Sequence, residues 1–159
     1  MNRTDVLGVE FDNVTMAEAV ERALELIAVR ECRYVVTPNP EIVMLAKENA
    51  ELKKALAGAA LVLPDGVGIV KGAAILGRPM KGKVPGIDFA CGVMARLAEK
   101  GGSVYLFGAK PGVAELAAET LESRYPGLIV AGTSDGYFSD DAPIIEKISD
   151  AAPDLLLVC

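Results

Sequence analysis

The spacing of its short apolar runs limits this chain more than any other feature. Val6 to Phe11, which reads as an edge strand or a hairpin arm, Arg33 to Thr37, Ala59 to Leu63, Ser103 to Phe107, Leu128 to Ala131 and Asp154 to Cys159 are each of strand length. Between them lie segments whose apolar residues recur at helical spacing. Strand and helix alternate from one end to the other. A run as short and as uniformly apolar as Ala59-Ala60-Leu61-Val62-Leu63 suits a strand buried on both faces. The pattern predicts an α/β fold, a Rossmann-like, mostly parallel sheet with helices on both faces. At 159 residues the chain is read as a single domain over 1–159, large enough to bury a sizeable core, with no internal repeat, linker or low-complexity stretch.

Local signals place the helices. Thr15 with Glu18 three residues on is a capping-box pattern, and Met16, Ala19, Val20, Ala23, Leu24 and Ile27 follow at helical spacing, so a first helix runs from about Met16 to Val29. Asn39 sits where a helix N-cap belongs, with Pro40 at the first helical position and Glu41 in the first turn. That helix is expected to turn Ile42, Val43, Leu45 and Ala46 inward. Further helices are expected at Ala50–Leu56, at 87–100 with Phe89, Val93, Met94 and Leu97 on one face, after Gly112 with Val113, Leu116, Ala117, Thr120 and Leu121 buried, and at 141–151.

Parallel sheets bind ligands at the carboxyl ends of their strands, which directs attention to the strand exits. The Ala59–Leu63 run breaks at Pro64-Asp65-Gly66, and Tyr34-Val35-Val36 runs out into Thr37-Pro38-Asn39-Pro40-Glu41. If the two strands are neighbours, Asp65, Thr37 and Asn39 share one pocket. Taken alone, Asp65-Gly66 is an ordinary turn and Asn39 an ordinary cap. Gly66-Val67-Gly68 fails as a dinucleotide fingerprint, because Lys71 stands where the third glycine belongs. The stretch from Gly77 to Gly86 carries Arg78, Lys81 and Lys83 close together, and reads either as a solvated loop or as an anion-binding flap. Gly108-Ala109-Lys110-Pro111-Gly112 leads into a helix amino terminus, a geometry suited to anions, without the Walker pattern. In the loop Gly132 to Phe138, Tyr137 can stack on a planar base or pack as a lid over the core.

Composition removes several chemistries. The chain contains no histidine, so Ser-His-Asp and Cys-His catalysis and histidine-ligated zinc are excluded, and a general base has to be a carboxylate or, less commonly, Lys, Tyr or Cys. A formal charge of −6 leaves no basic stripe for nucleic acid. Cys32, Cys91 and Cys159 are odd in number and lack metal-ligand spacing, and are read as reduced structural thiols. No apolar stretch approaches the roughly 20 residues of a membrane span, and the amino terminus lacks the apolar core of a signal peptide. A cytoplasmic protein is expected.

Five stretches taken together resemble a known family. They are Thr37-Pro-Asn39-Pro-Glu41, Pro64-Asp65-Gly66-Val-Gly68, Lys83-Val-Pro85-Gly86-Ile-Asp88, Leu106-Phe-Gly108-Ala-Lys-Pro-Gly112 and Gly132-Thr-Ser-Asp-Gly136-Tyr137-Phe138. In order and spacing they are similar to the WecG/TagA/CpsF-type bacterial glycosyltransferases that act on undecaprenyl-diphosphate-linked GlcNAc, among them the N-acetylmannosaminyltransferases of teichoic acid linkage-unit synthesis. The resemblance implies an inverting, metal-independent transfer of ManNAc from UDP-ManNAc to the 4-hydroxyl of the lipid-linked GlcNAc, with no cofactor. It implies that Asp65 is the base, with Thr37 counted beside it as catalytic, and that Thr37 and Asn39 line its pocket. Gly66, Lys83 and Asp88 are then counted with the substrate-binding residues, and Gly108 and Tyr137 with the nucleotide-sugar side. It implies a protein peripheral at the inner face of the cell membrane, and a homo-oligomer is permitted. The alternative is a nucleotide-sugar binding domain without activity of its own.

Two departures from the family pattern stand out. Lys83 occupies a position where the family often has Arg, so a forked contact to diphosphate becomes a point contact. The family also continues past the strand matching Asp154–Cys159 with a Gly-x-Pro-x-Gln-Glu loop and a basic carboxyl-terminal region. Neither occurs in this sequence, and the chain is expected to be shorter than the natural protein.

Overall fold

A computed structural model describes residues 3–159. The chain divides between Phe89 and Ala90 into two compact units. The first begins with a hairpin, β1 (Arg3–Val6) and β2 (Val9–Asp12), paired antiparallel through a tight turn at Leu7-Gly8, both in the left-handed region. Then follow α1 (Met16–Val29), β3 (Val35–Val36), α2 (Pro40–Glu48), α3 (Ala50–Gly58), β4 (Leu61–Val62), α4 (Val67–Ile75) and the start of α5 (Gly86–Ala98). The second unit holds the rest of α5, β5 (Ser103–Phe107), α6 (Val113–Arg124), β6 (Ile129–Ser134), α7 (Ala142–Ala151) and β7 (Leu155–Val158). The fold is α/β as the spacing predicts, its parallel strands forming one sheet in each unit.

In the first unit β3 and β4 pair in parallel, Val35 opposite Leu61 and Val36 opposite Val62. Backbone bonds from Ala60 to the Tyr34 carbonyl and from Leu63 to the Val36 carbonyl carry the pairing past both ends. Asp12 joins the hairpin to this ladder. It is buried, and its carboxylate accepts the Val62 N–H at 2.9 Å and an Arg3 guanidinium N–H at 3.4 Å, which answers the cost of burying a charge. Around these strands a core forms from Val6, Val9, Phe11, Val43, Ala46, Leu56, Val62, Ile69 and Ala73.

Helix starts and stops follow the local signals. Thr15 Oγ1 accepts the Glu18 N–H while Glu18 Oε2 accepts the Thr15 N–H at 2.7 Å, so the capping box forms as read and α1 spans the expected residues. Asn39 Oδ1 accepts the Ile42 N–H at 2.9 Å and caps α2. Two expected helix faces are corrected. In α2, Val43 and Ala46 are buried but Leu45 is 59% exposed. In α6 only Ala114 is fully buried, with Ala117, Ala118 and Leu121 half-buried along the same face, while Val113, Leu116 and Thr120 are exposed. Small residues let α6 lie close to its strands, so alanine rather than leucine marks its inner face.

In the second unit the strands are ordered β6-β5-β7, all parallel. The connection β5–α6–β6 places β6 on one side of β5, and β6–α7–β7 crosses to the other, so the strand order reverses at the carboxyl end of β5. The β6 strand is longer than expected. Gly132, Thr133 and Ser134 are ladder residues opposite Tyr105, Leu106 and Phe107, and the loop begins only at Asp135. The buried Tyr105 supplies the reason, since its hydroxyl bonds the Thr133 carbonyl and the Ser134 hydroxyl and draws the chain into register. All three thiols are unpaired. Cys32 and Cys159 are exposed, so a structural role fits only Cys91, whose hydrogen bond to Tyr125, together with burial, raises the phenol's pKa. Among the described residues no helix is long and apolar enough to cross a membrane.

Candidate functional site

Parallel pairing of β3 and β4 brings their two exits side by side, which is the condition on which the expected pocket depended. The Asp65 N–H approaches the Pro38 carbonyl at 3.4 Å, and Pro38 is buried between the two loops. Thr37, Asn39 and Asp65 are all half-buried. Asp65 Oδ2 accepts the Gly86 N–H at 3.2 Å, while Oδ1 makes no hydrogen bond among the described residues. Gly86 also lies against Thr37, where a Cβ would stand 2.8 Å from Thr37 Oγ1. The carboxylate and the hydroxyl therefore meet at one glycine.

Three helices begin at this point, because α2, α4 and α5 start at Pro40, Val67 and Gly86. Pro40 packs on Gly68, where a Cβ would come within 2.7 Å of its ring. Gly66 ends the Asp65 turn with φ of +98°, which favours glycine there, and it caps α4 without any side-chain hydrogen bond. The first-turn amides of α4 are thus open to an anion, whereas Asn39 already fills that place on α2.

The cationic stretch is divided in use. Arg78 pairs with Asp5 at 3.2 Å and Lys81 with Glu18 at 2.6 Å, so two of its three charges fasten it to the hairpin and to α1. The Lys81 ammonium is the largest cause holding Glu18 down at about 2, helped by the Thr15 N–H. Of the two readings of this stretch, a surface loop accounts for Arg78 and Lys81. All three cations are exposed, and of them only Lys83 makes no ion pair among the described residues. Val84 beside it is wholly buried and donates its N–H to the Pro64 carbonyl at 2.8 Å, which places Lys83 next to the Asp65 turn. Asp88 is exposed in the first turn of α5. Gly86 was not legible as a site residue. The signal was its place after Pro85 at a helix start, where an N–H is left over for an outside acceptor.

Gly108 and Tyr137 lie in the second unit on adjoining loops. The Gly136 N–H donates to the Ala109 carbonyl at 2.9 Å. Gly108 is buried at the exit of β5 with φ of +123°, and a Cβ there would run into the Cys159 carbonyl, so close approach of main chain explains this glycine without a ligand. Phe138 folds onto Phe107 with ring centroids 5.6 Å apart, and it is Phe138 that covers the strand end. Tyr137, 68% exposed, stands clear of it. Among the described residues no three Cys, Asp or Glu side chains gather as a metal-ligand set. Two shallow hollows of the first unit, one lined by Arg3, Gly8 and Lys53 and the other by Tyr34, Glu51 and Lys54, include none of the site residues.

Residues 4–159 match the model of the glycosyl transferase WecG/TagA/CpsF family. The chain belongs to that family. Among similar curated proteins is the N-acetylglucosaminyldiphosphoundecaprenol N-acetyl-beta-D-mannosaminyltransferase of Bacillus spizizenii, 32% identical over 125 residues, which are 79% of this chain and 49% of that protein. The protein of the same name from Staphylococcus aureus strain NCTC 8325 is 32% identical over 161 residues, covering 98% of this chain and 62% of its own length. The chain thus spans about half to three-fifths of the relatives it matches. All five WecG/TagA/CpsF-like motifs fall inside the matched range.

Proposed function

We propose that this protein is an inverting, metal-independent glycosyltransferase that moves ManNAc from UDP-ManNAc to the 4-hydroxyl of undecaprenyl-diphosphate-linked GlcNAc, in the synthesis of a teichoic acid linkage unit. The observation that carries the reading is the half-buried Asp65 carboxylate at a parallel-strand exit, one oxygen tied to Gly86 and the other free, beside Thr37. Family membership and the relatives' names support the substrates.

In this reading the free oxygen of Asp65 takes the proton of the acceptor hydroxyl as that oxygen attacks the anomeric carbon. The bond from sugar to diphosphate breaks with its electron pair on UDP, which leaves carrying the negative charge. Within the first unit, Thr37 and Asn39 orient the acceptor, the uncapped amides at Gly66 and the ammonium of Lys83 stabilise phosphate charge, and Asp88 binds a sugar hydroxyl. In the second unit Tyr137 offers its ring to the uracil, and Gly108, on the adjoining loop, is counted with the nucleotide-sugar side. The protein works as a peripheral enzyme at the inner face of the membrane, where the lipid-linked acceptor is presented.

The test is conversion of UDP-ManNAc and a GlcNAc-diphospholipid to the lipid-linked disaccharide by the intact protein, with Asp65→Asn beside it. The variant should lose about 10²- to 10⁴-fold in turnover while its thermal unfolding stays that of the wild type. Turnover equal to wild type would remove Asp65 from the base role.

A further inference from the structure

We infer that Gly86 is a positioning residue for Asp65, its N–H fixing the rotation of the carboxylate so that one oxygen is held and the other faces the acceptor. The inference rests on the reading of Asp65 as the base. A carboxylate on a short side chain turns easily about its last bond, and one fixed donor decides which oxygen is presented. Asp65 Oδ2 has that donor in Gly86 N–H at 3.2 Å, and no second hydrogen bond competes with it among the described residues.

The donor is suited to the task for three reasons. Gly86 is the first residue of α5, so its N–H has no partner within the helix and giving it to Asp65 takes nothing from α5. The backbone on either side is anchored, with Val84 N–H on the Pro64 carbonyl at 2.8 Å and Phe89 N–H on the Pro85 carbonyl at 2.9 Å, so the amide is held in place before substrate arrives. The missing side chain leaves room for Thr37, since a Cβ would stand 2.8 Å from Thr37 Oγ1 and 3.4 Å from its Cβ and Cγ2. One residue therefore donates to the base and admits the hydroxyl beside it. Gly86 lies outside the left-handed region, so neither property is explained by a conformation that only glycine reaches.

Comparing two substitutions separates the Asp65 side of Gly86 from the Thr37 side. Gly86→Ala and Gly86→Pro both add a Cβ toward Thr37, but only proline replaces the N–H facing Asp65 by a ring carbon, and the first position of a helix accepts proline. Both should bind UDP-sugar as the wild type does. Turnover should fall moderately in Gly86→Ala and by about 10²-fold in Gly86→Pro, with KM little changed. Equal kcat in the two variants would overturn the inference. A second measurement needs no turnover and no change at Gly86. Native-state hydrogen exchange should show the Gly86 amide exchanging several-fold faster in Asp65→Ala than in the wild type while the Phe89 amide is unchanged, and an unaffected Gly86 amide would equally overturn it. Should Asp65→Asn lose turnover while Gly86→Ala and Gly86→Pro match, positioning alone falls. Should Asp65→Asn keep turnover, the base itself is wrong.

Discussion

Asn39 shows how one residue can hold two roles that a single substitution confuses. Its side chain caps α2 through the Ile42 N–H, and the same half-buried residue lies on the loop that carries Thr37 to Asp65. Asn39→Ala should destabilise the protein by about 1 kcal/mol through loss of the cap alone. Asn39→Ser keeps an oxygen able to cap and should recover most of that in a urea titration. If Asn39 also orients the acceptor, Asn39→Ser will remain slow in transfer despite its restored stability. Full recovery of both would leave Asn39 as a cap only. At this scale the sequence was most readable where a residue's chemistry is local, as with Thr15, Asn39 and Gly66. Gly86 was hidden because its partners, Thr37 and Asp65, are distant in sequence, and only pairing of β3 with β4 brings them together.

Among the elements, the connector from Gly77 to Gly86 had two open readings, a solvated loop or an anion-binding flap, and neighbours in sequence need not serve one ligand. Arg78 reaches the hairpin at Asp5, Lys81 reaches Glu18 in α1, and the Lys81 N–H is bonded to Asn13 Oδ1 at 2.8 Å. These contacts join segments more than sixty residues apart, which no local pattern reports. A pH dependence follows. Glu18 falls from an ordinary 4.5 to about 2 in the folded protein, chiefly through its hydrogen bond to Lys81. A lowered carboxyl value contributes stability above the unfolded value and loses it as pH drops through the folded one. The difference in stability between the wild type and Lys81→Met should therefore be constant from neutral pH down to about 4.5 and shrink below it, as read by urea unfolding at stepped pH. Because both side chains are about half exposed, the difference is small and should weaken further in salt. A difference that grew on acidification would contradict the pairing.

For the molecule as a whole, alternation of strands and helices was enough to give the α/β class, because short uniformly apolar runs between helical segments have few other solutions. The missed features are those that depend on what an element packs against. The length of β6 is set by the Tyr105 hydroxyl and the inner face of α6 by alanines, and Leu45 is left exposed beside the buried Ala46. The candidate residues fall in both compact units, with Asp65, Thr37 and Asn39 in the first and Gly108 and Tyr137 in the second. That division makes a final prediction about which step each unit serves. An exposed tyrosine beside the switch in strand order can stack on a base, a contact worth about 1–3 kcal/mol. Tyr137→Ala should therefore weaken UDP-sugar affinity about 5- to 150-fold by calorimetry, whereas Tyr137→Phe, which keeps the ring, should not. Asp65→Asn should bind UDP-sugar as the wild type does and fail only in turnover. Weakened nucleotide binding in Asp65→Asn, with Tyr137→Ala unaffected, would reverse the assignment and move the base of the nucleotide to the first unit.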